Sequence, residues 1–90
     1  MRMHIDEKVD RIIRALNEGK KVVLIAAGLG DITIKRTRYR YSINYNFLVP
    51  MPKQSYTFYI TNERKLREFL YEQLRDPFTR VMIDREFVFE

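Results

Sequence analysis

The amino-acid sequence predicts an α+β domain in which two helices pack on one face of a mostly antiparallel sheet. Three observations predict this class: two segments with apolar residues at helical spacing, a continuous apolar run, and segments in which apolar and polar residues alternate. The elements follow the order α-β-β-β-α-β. Ninety residues are enough for one domain with a single small core, so we expect residues 1–90 to form one domain.

The first helix is predicted at residues 6–18. Its apolar side chains recur every three or four positions and form one stripe. The stripe consists of Ile5, Val9, Ile12, Ile13 and Leu16. We expect Asp6 to cap the first turn and Gly19 to lie just past the last one.

The apolar run "KKVVLIAA" at residues 20–27 predicts a strand in the interior of the sheet. "GLGD" at residues 28–31 follows it. Two glycines after a strand also suit a phosphate-binding loop, but no helical pattern follows and the lysine of a P-loop is missing. A turn between two strands is therefore the preferred interpretation.

Residues 32–49 are predicted to form a strand that is long and curved. Ile32 and Ile34 are even-numbered, whereas the alternating inward set that follows is odd-numbered and consists of Tyr39, Tyr41, Ile43, Tyr45, Phe47 and Val49. The inward-facing side of the strand must change between them. A β-bulge at residues 35–37 makes this change by adding one residue.

The remaining elements are a loop at 50–54, a strand at 55–61, a helix at 62–75 and a final strand at 78–90. Thr61 or Asn62 is expected to cap the helix, and Asp76-Pro77 to end it. In the final strand, bent near residues 84–86, the inward residues are expected to be Val81, Ile83, Phe87 and Phe89. The core is predicted to contain Ile12, Leu16, Leu24, Leu66, Phe69 and Leu70.

The formal net charge of +5 is confined to one third of the chain. No acid occurs from residue 32 to residue 62, and five of the 17 basic residues lie there. The other 12 basic residues balance the 12 acids of the rest of the chain. A localised basic excess is typical of proteins that bind polyanions.

"KRTRYRYSINYNF" at residues 35–47 holds most of this excess. On a continuous strand, Arg38 and Arg40 would share one face about 6.6–6.8 Å apart, within reach of neighbouring phosphates. The same pattern also fits a solvated strand face or a surface for an acidic protein. The candidate nucleic-acid-binding residues are Lys35, Arg36, Arg38, Arg40, Asn44 and Lys53.

Enzymatic chemistry has few candidate residues. The chain has no cysteine and one histidine, so triads and thiolate metal sites are excluded. The predicted element order is also that of restriction-endonuclease-like nucleases, and Asp31 is suitably placed for a metal ligand. The strand after it offers no carboxylate, which leaves at most a catalytically inactive relative. We therefore expect no catalytic residues, no metal and no cofactor.

Residues 15–37, "ALNEGKKVVLIAAGLGDITIKRT", resemble the helix, strand and glycine-containing loop of the Alba family of archaeal DNA- and RNA-binding proteins. The resemblance is carried by Asn17, Gly19, residues 22–27, Gly30, Ile34, Lys35 and Arg36. The loop arginines of that family are replaced by Leu29 and Asp31, and residues 38–47 form a predicted strand where the family has a helix. The resemblance implies binding of nucleic acid.

The sequence thus predicts a small basic protein that contacts the phosphates of DNA or RNA through an Arg- and Lys-rich strand, largely without sequence preference. The alternative is an interaction module that forms a homodimer through an exposed sheet edge. No apolar run approaches the roughly 20 residues that span a bilayer, and no signal peptide is evident. A cytoplasmic location without membrane partners is expected.

Overall fold

The computed structural model describes residues 4–48 and 53–89. It contains two helices and a six-stranded antiparallel sheet, which confirms the α+β class. The elements are α1 (Ile5–Asn17), β1 (Val22–Ala26), β2 (Gly30–Arg36), β3 (Tyr41–Phe47), β4 (Gln54–Ile60), α2 (Glu63–Leu74), β5 (Arg80–Ile83) and β6 (Glu86–Val88). The strands lie in the order β4-β3-β2-β1-β5-β6, so β4 and β6 are the edges.

Both helices cover the same face of the sheet, here called the helix face. Val22, Ile34 and Ile43 lie side by side on it and are fully buried. On the opposite, open face, Thr33, Asn44 and Thr57 form a row across β2, β3 and β4. Of the six predicted core residues, five are buried and Phe69 is half-buried against them.

The helix boundaries agree with the prediction to within one residue, but the cap of α1 is different. His4, and not Asp6, is the N-cap, and its side chain accepts a hydrogen bond from the Asp6 N–H. At the other end, Gly19 has the positive φ of +87° expected after a helix. Asn62 caps α2 as predicted, because its side chain accepts a 2.8 Å hydrogen bond from the Lys65 N–H.

The predicted bulge at residues 35–37 is wrong, because a hairpin stands in its place. β2 and β3 are separate strands, and Arg36 pairs with Tyr41 at the last position of their ladder. Even-numbered residues of β2 therefore lie opposite odd-numbered residues of β3, which accounts for the change of inward side. Tyr39, predicted to face inward, lies in the turn and is 84% exposed.

The final strand is likewise two strands, β5 and β6, joined at Asp84 and Arg85. Both joining residues have positive φ, at 52° and 76°. Because Val81 pairs with Val88, the inward residue of β6 is Val88. Phe87 was predicted to face inward and instead lies on the open face, 42% exposed.

Gly30 begins β2 where two strands approach closely. A Cβ atom at this position would lie 2.3 Å from the Asn46 carbonyl oxygen, and its φ is +151°. Glycine is therefore required for β3 to pair at this point. The predicted loop at 50–54 and the end of the predicted strand at Val49 fall mainly outside the described residues, although Gln54 already belongs to β4.

Candidate nucleic-acid interface

Residues 37–40 form the tip of the β2–β3 hairpin and project past the end of the sheet. The turn is closed by Thr37, whose N–H and hydroxyl donate to the Arg40 carbonyl at 2.7 and 2.8 Å. All four tip residues are exposed. Arg38 and Arg40 therefore lie in a turn, and the prediction that they share one face of a continuous strand is wrong.

Arg40 is held against an aromatic ring. Its guanidinium carbon lies 3.8 Å from the centroid of the Tyr59 ring, on the open face of β4. Tyr59 is 48% exposed. A guanidinium stacked on a ring is fixed in position while its N–H donors in the plane of the group stay available for an anion. This arrangement gives Arg40 a defined orientation at the surface.

Arg36 is oriented by α1. Its Nη1 donates a 2.9 Å hydrogen bond to Oδ1 of Asn17. The same oxygen accepts a hydrogen bond from the Tyr41 hydroxyl at 3.0 Å, and the Asn17 amide approaches Glu63 Oε1 at 3.5 Å. Because a guanidinium carries five N–H donors, this bond leaves Arg36 with donors for a further ligand.

Two lysines that the sequence reasoning missed lie beside the hairpin. Val22 pairs with Ile34 in the antiparallel β1–β2 ladder, so the residues before Val22 are at the end of the sheet where β2 finishes. These residues are Lys20 and Lys21, and both are exposed. They were missed because the charge of residues 1–31 sums to nearly zero, and only the register shows where each charge lies.

We call this region the basic end. It comprises Lys20, Lys21, Lys35, Arg36, Arg38 and Arg40, all of them exposed. Lys35 belongs to the open face and Arg36 to the helix face, so the positive surface continues around the end of the sheet. Four acids border the region: Glu18 at the end of α1, Glu63 at the start of α2, and Asp84 and Glu86 at the turn between β5 and β6, where the Asp84 N–H donates to the Lys21 carbonyl at 2.9 Å.

An open cleft of about 450 Å³ lies within the basic end. It is lined by Asn17, Arg36, Arg38, Tyr39, Arg40, Tyr41, Thr61 and Glu63. Three guanidinium groups face a single acid around this space. Such a lining attracts an anion more readily than a cation or an apolar ligand.

Two of the predicted binding residues do not join this region. Lys53 precedes Gln54, which pairs with Phe47 at the opposite end of β3, about 20 Å along the strands from the basic end. Asn44 lies midway along β3, where its Nδ2 donates to Thr57 at 2.8 Å and its Oδ1 accepts from Asn46 at 2.6 Å. In one copy of the chain, the structure therefore brings together only Lys35, Arg36, Arg38 and Arg40 from the predicted set.

The shifted pKa values belong to structural contacts away from the basic end. The Tyr71 hydroxyl donates a hydrogen bond to Asp6 between the two helices, and this bond raises the pKa of Tyr71. Arg67 donates to Asp10 at 2.6 Å, which raises the pKa of the Arg67 guanidinium. Burial, together with the nearby Tyr56, raises the pKa of Tyr45 on the helix face. These groups join α1 to α2 and α2 to the sheet.

Other kinds of site find little support in the described part of the chain. Residues 4–48 and 53–89 contain no group of three or more His, Cys, Asp or Glu side chains that could hold a metal ion. Neither helix in this part of the chain is long and apolar enough to cross a membrane.

Comparison of the chain with protein-family models, with curated proteins and with solved structures gave no match.

Proposed function

We propose that the basic end binds nucleic acid through its phosphates, largely without preference for sequence. The observation that carries the proposal is the register of β1 and β2, which adds Lys20 and Lys21 to the basic residues of the hairpin. Charges that are separate along the chain are thereby concentrated at one end of the sheet. Phosphate contacts of this kind supply affinity but do not read bases.

The shape of the region also supports a polyanion as ligand. The hairpin tip projects beyond the ladder, and Arg36 and Arg40 are each held by a neighbouring side chain, Asn17 and Tyr59. Orientation of this kind reduces the side-chain entropy lost when a phosphate binds. The tip has the dimensions of a two-stranded ribbon, which the major groove of duplex DNA is wide enough to admit.

The test measures affinity as a function of salt for duplex DNA, single-stranded DNA and duplex RNA. Each neutralised phosphate of duplex DNA contributes about −0.9 to the slope of log K against log salt. With about four contacts, we expect a slope of roughly −3 to −4 for the form that binds best. Absence of binding to all three at low salt would refute the proposed function.

Two double variants assign the binding to the basic end. Arg38→Ala with Arg40→Ala, and Lys20→Ala with Lys21→Ala, should each weaken binding to all sequences alike and flatten the slope by about two contacts. The matched control is Lys8→Ala with Arg75→Ala, which removes the same charge at the opposite ends of the helices. Equal losses in the control and the two test variants would show that only net charge matters and would contradict this site.

A further inference from the structure

The outer edge of β4 is unusual for a sheet of this size. β4 runs from Gln54 to Ile60 with the sequence "QSYTFYI", which contains no charged residue and no proline. Within the described residues only β3 pairs with it, so the N–H and C=O groups along its other side have no strand partner. An uncharged edge of seven residues is a template for pairing with another strand.

The other edge of the sheet is protected in the usual ways. β6 is only three residues long and begins with the charged Glu86. Its turn places Asp84 and Arg85 in backbone conformations with positive φ. Short length and charge prevent pairing with further chains. β4 is neither short nor charged, so it lacks both of these protections.

The side chains of β4 also leave apolar surface uncovered at this edge. On the helix face, Tyr56 is 52% exposed while its ring stacks on Tyr45 with centroids 4.9 Å apart. Phe58 lies next along the same face and contacts Phe69 of α2 edge to face. An aromatic cluster therefore continues from the core to the open edge, where a neighbouring strand would cover it.

We propose that β4 pairs antiparallel with β4 of a second copy of this chain, about a twofold axis that passes through Thr57 perpendicular to the sheet. Such an axis keeps the helices of both copies on the same face. It places Tyr56 opposite Phe58, so that these aromatic rings cover each other, and Tyr59 opposite Ser55; within β4 no charges meet. The two sheets become one continuous sheet. This inference is independent of the proposed binding of nucleic acid.

The self-complementary sequence of β4 favours a second copy over an unrelated strand. About this axis, each of the seven residues from Gln54 to Ile60 meets an uncharged residue, and the contact between Tyr56 and Phe58 occurs twice. An arbitrary extended peptide offers no such match in charge and aromatic spacing.

The first test is the mass of the full chain in solution, measured by light scattering and sedimentation from micromolar to millimolar concentration. We expect a dimer. Thr57→Lys places two like charges directly across the axis and should give a monomer, as should Thr57→Glu. An equimolar mixture of the two variants should recover a dimer, because opposite charges then meet. The matched control is Thr33→Lys, which adds the same charge to the same row of the open face on β2 and should remain dimeric.

The second test uses a smaller, uncharged substitution, so its result does not depend on whether the folded chain accepts a charge at position 57. The chain has no cysteine, so Thr57→Cys introduces one thiol per copy. Residues directly opposite in an antiparallel pair have Cβ atoms about 4.5–5.5 Å apart, close enough for a disulfide after a small adjustment. Oxidation should link Thr57→Cys chains in pairs and leave Thr33→Cys chains unlinked.

A wild-type chain that stays monomeric throughout this range would overturn the proposal. So would a Thr57→Lys dimer that is as stable as the wild type, or equal cross-linking of the two cysteine variants. If the dimer forms but nucleic acid does not bind, only the proposed function fails.

Discussion

The guanidinium of Arg36 and the side-chain oxygen of Asn17 are joined by a 2.9 Å hydrogen bond between the end of β2 and the end of α1. The hydroxyl of the buried Tyr41 donates to the same oxygen at 3.0 Å. One short side chain thus both positions a candidate phosphate-binding arginine and satisfies a phenol at the border of the core. Asn17 therefore contributes both to the stability of the fold and to the proposed binding site.

We expect Asn17→Ala to lower the free energy of unfolding by about 1 kcal/mol, because the Tyr41 hydroxyl loses its acceptor. The measurement is urea denaturation of Asn17→Ala, Tyr41→Phe and the double variant. The two single losses should not add, since both remove the same hydrogen bond. Full additivity would show that the bond contributes nothing to stability.

Leu70 is predicted to be a main determinant of stability. It is fully buried on α2, within the cluster that joins both helices to the sheet. Leu70→Ala should cost about 2–5 kcal/mol, the range for a buried leucine that leaves a cavity. Leu29→Ala is the control, because Leu29 is 46% exposed and its truncation should change stability by less than about 0.5 kcal/mol. A loss at Leu70 no larger than that at Leu29 would contradict the packing of α2.

Stability should fall at alkaline pH partly through Tyr71. The hydrogen bond to Asp6 raises the pKa of Tyr71 in the folded chain above its unfolded value of about 10. Its contribution is therefore fully present below about pH 10 and is lost as the pH rises through the folded-state pKa. Urea denaturation at a series of pH values should show a smaller alkaline loss for Tyr71→Phe than for the wild type.

Asp6→Ala provides an independent check of this pH dependence. It removes the carboxylate that raises the pKa of Tyr71, so the alkaline loss should shrink as it does in Tyr71→Phe. Some alkaline loss should remain in both variants, because the pKa of Tyr45 is also raised by burial. An unchanged alkaline loss in both would show that this hydrogen bond is not linked to folding.

Much of the fold was predictable because its signals are local. The apolar stripe that ends at Leu16 specifies α1, and the side chain of Asn62 marks the start of α2. The two hairpin turns were not recognised for a physical reason. "TRYR" at 37–40 and Asp84-Arg85 contain no glycine or proline, the residues that most clearly signal a tight turn. A switch of the inward apolar residues from even-numbered to odd-numbered positions fits a bulge as well as a hairpin. Only the pairing of the strands distinguishes the two.

The candidate site was predictable only in part, because the positions of charged residues along the chain do not show which of them lie together in the fold. Lys53 belongs to the acid-free segment, yet the β3–β4 ladder carries it away from Arg36. Lys20 lies in a segment whose positive and negative charges nearly cancel, so the local net charge did not mark it as a binding residue. The β1–β2 ladder nevertheless places it beside the hairpin. Both facts depend on the register between distant residues, which the local sequence does not contain.

The hairpin tip places two of the proposed binding residues, Arg38 and Arg40, outside the paired strands and the core. Residues 37–40 are exposed, and β2 and β3 are paired along their whole length on either side of them. Because the ladder from Arg36 to Gly30 fixes the position of the tip, its sequence can change without altering the core. The residues of the tip can therefore be replaced while the scaffold stays the same. The tip is also a suitable place to exchange one short loop for another and so to build a new binding surface on the same scaffold.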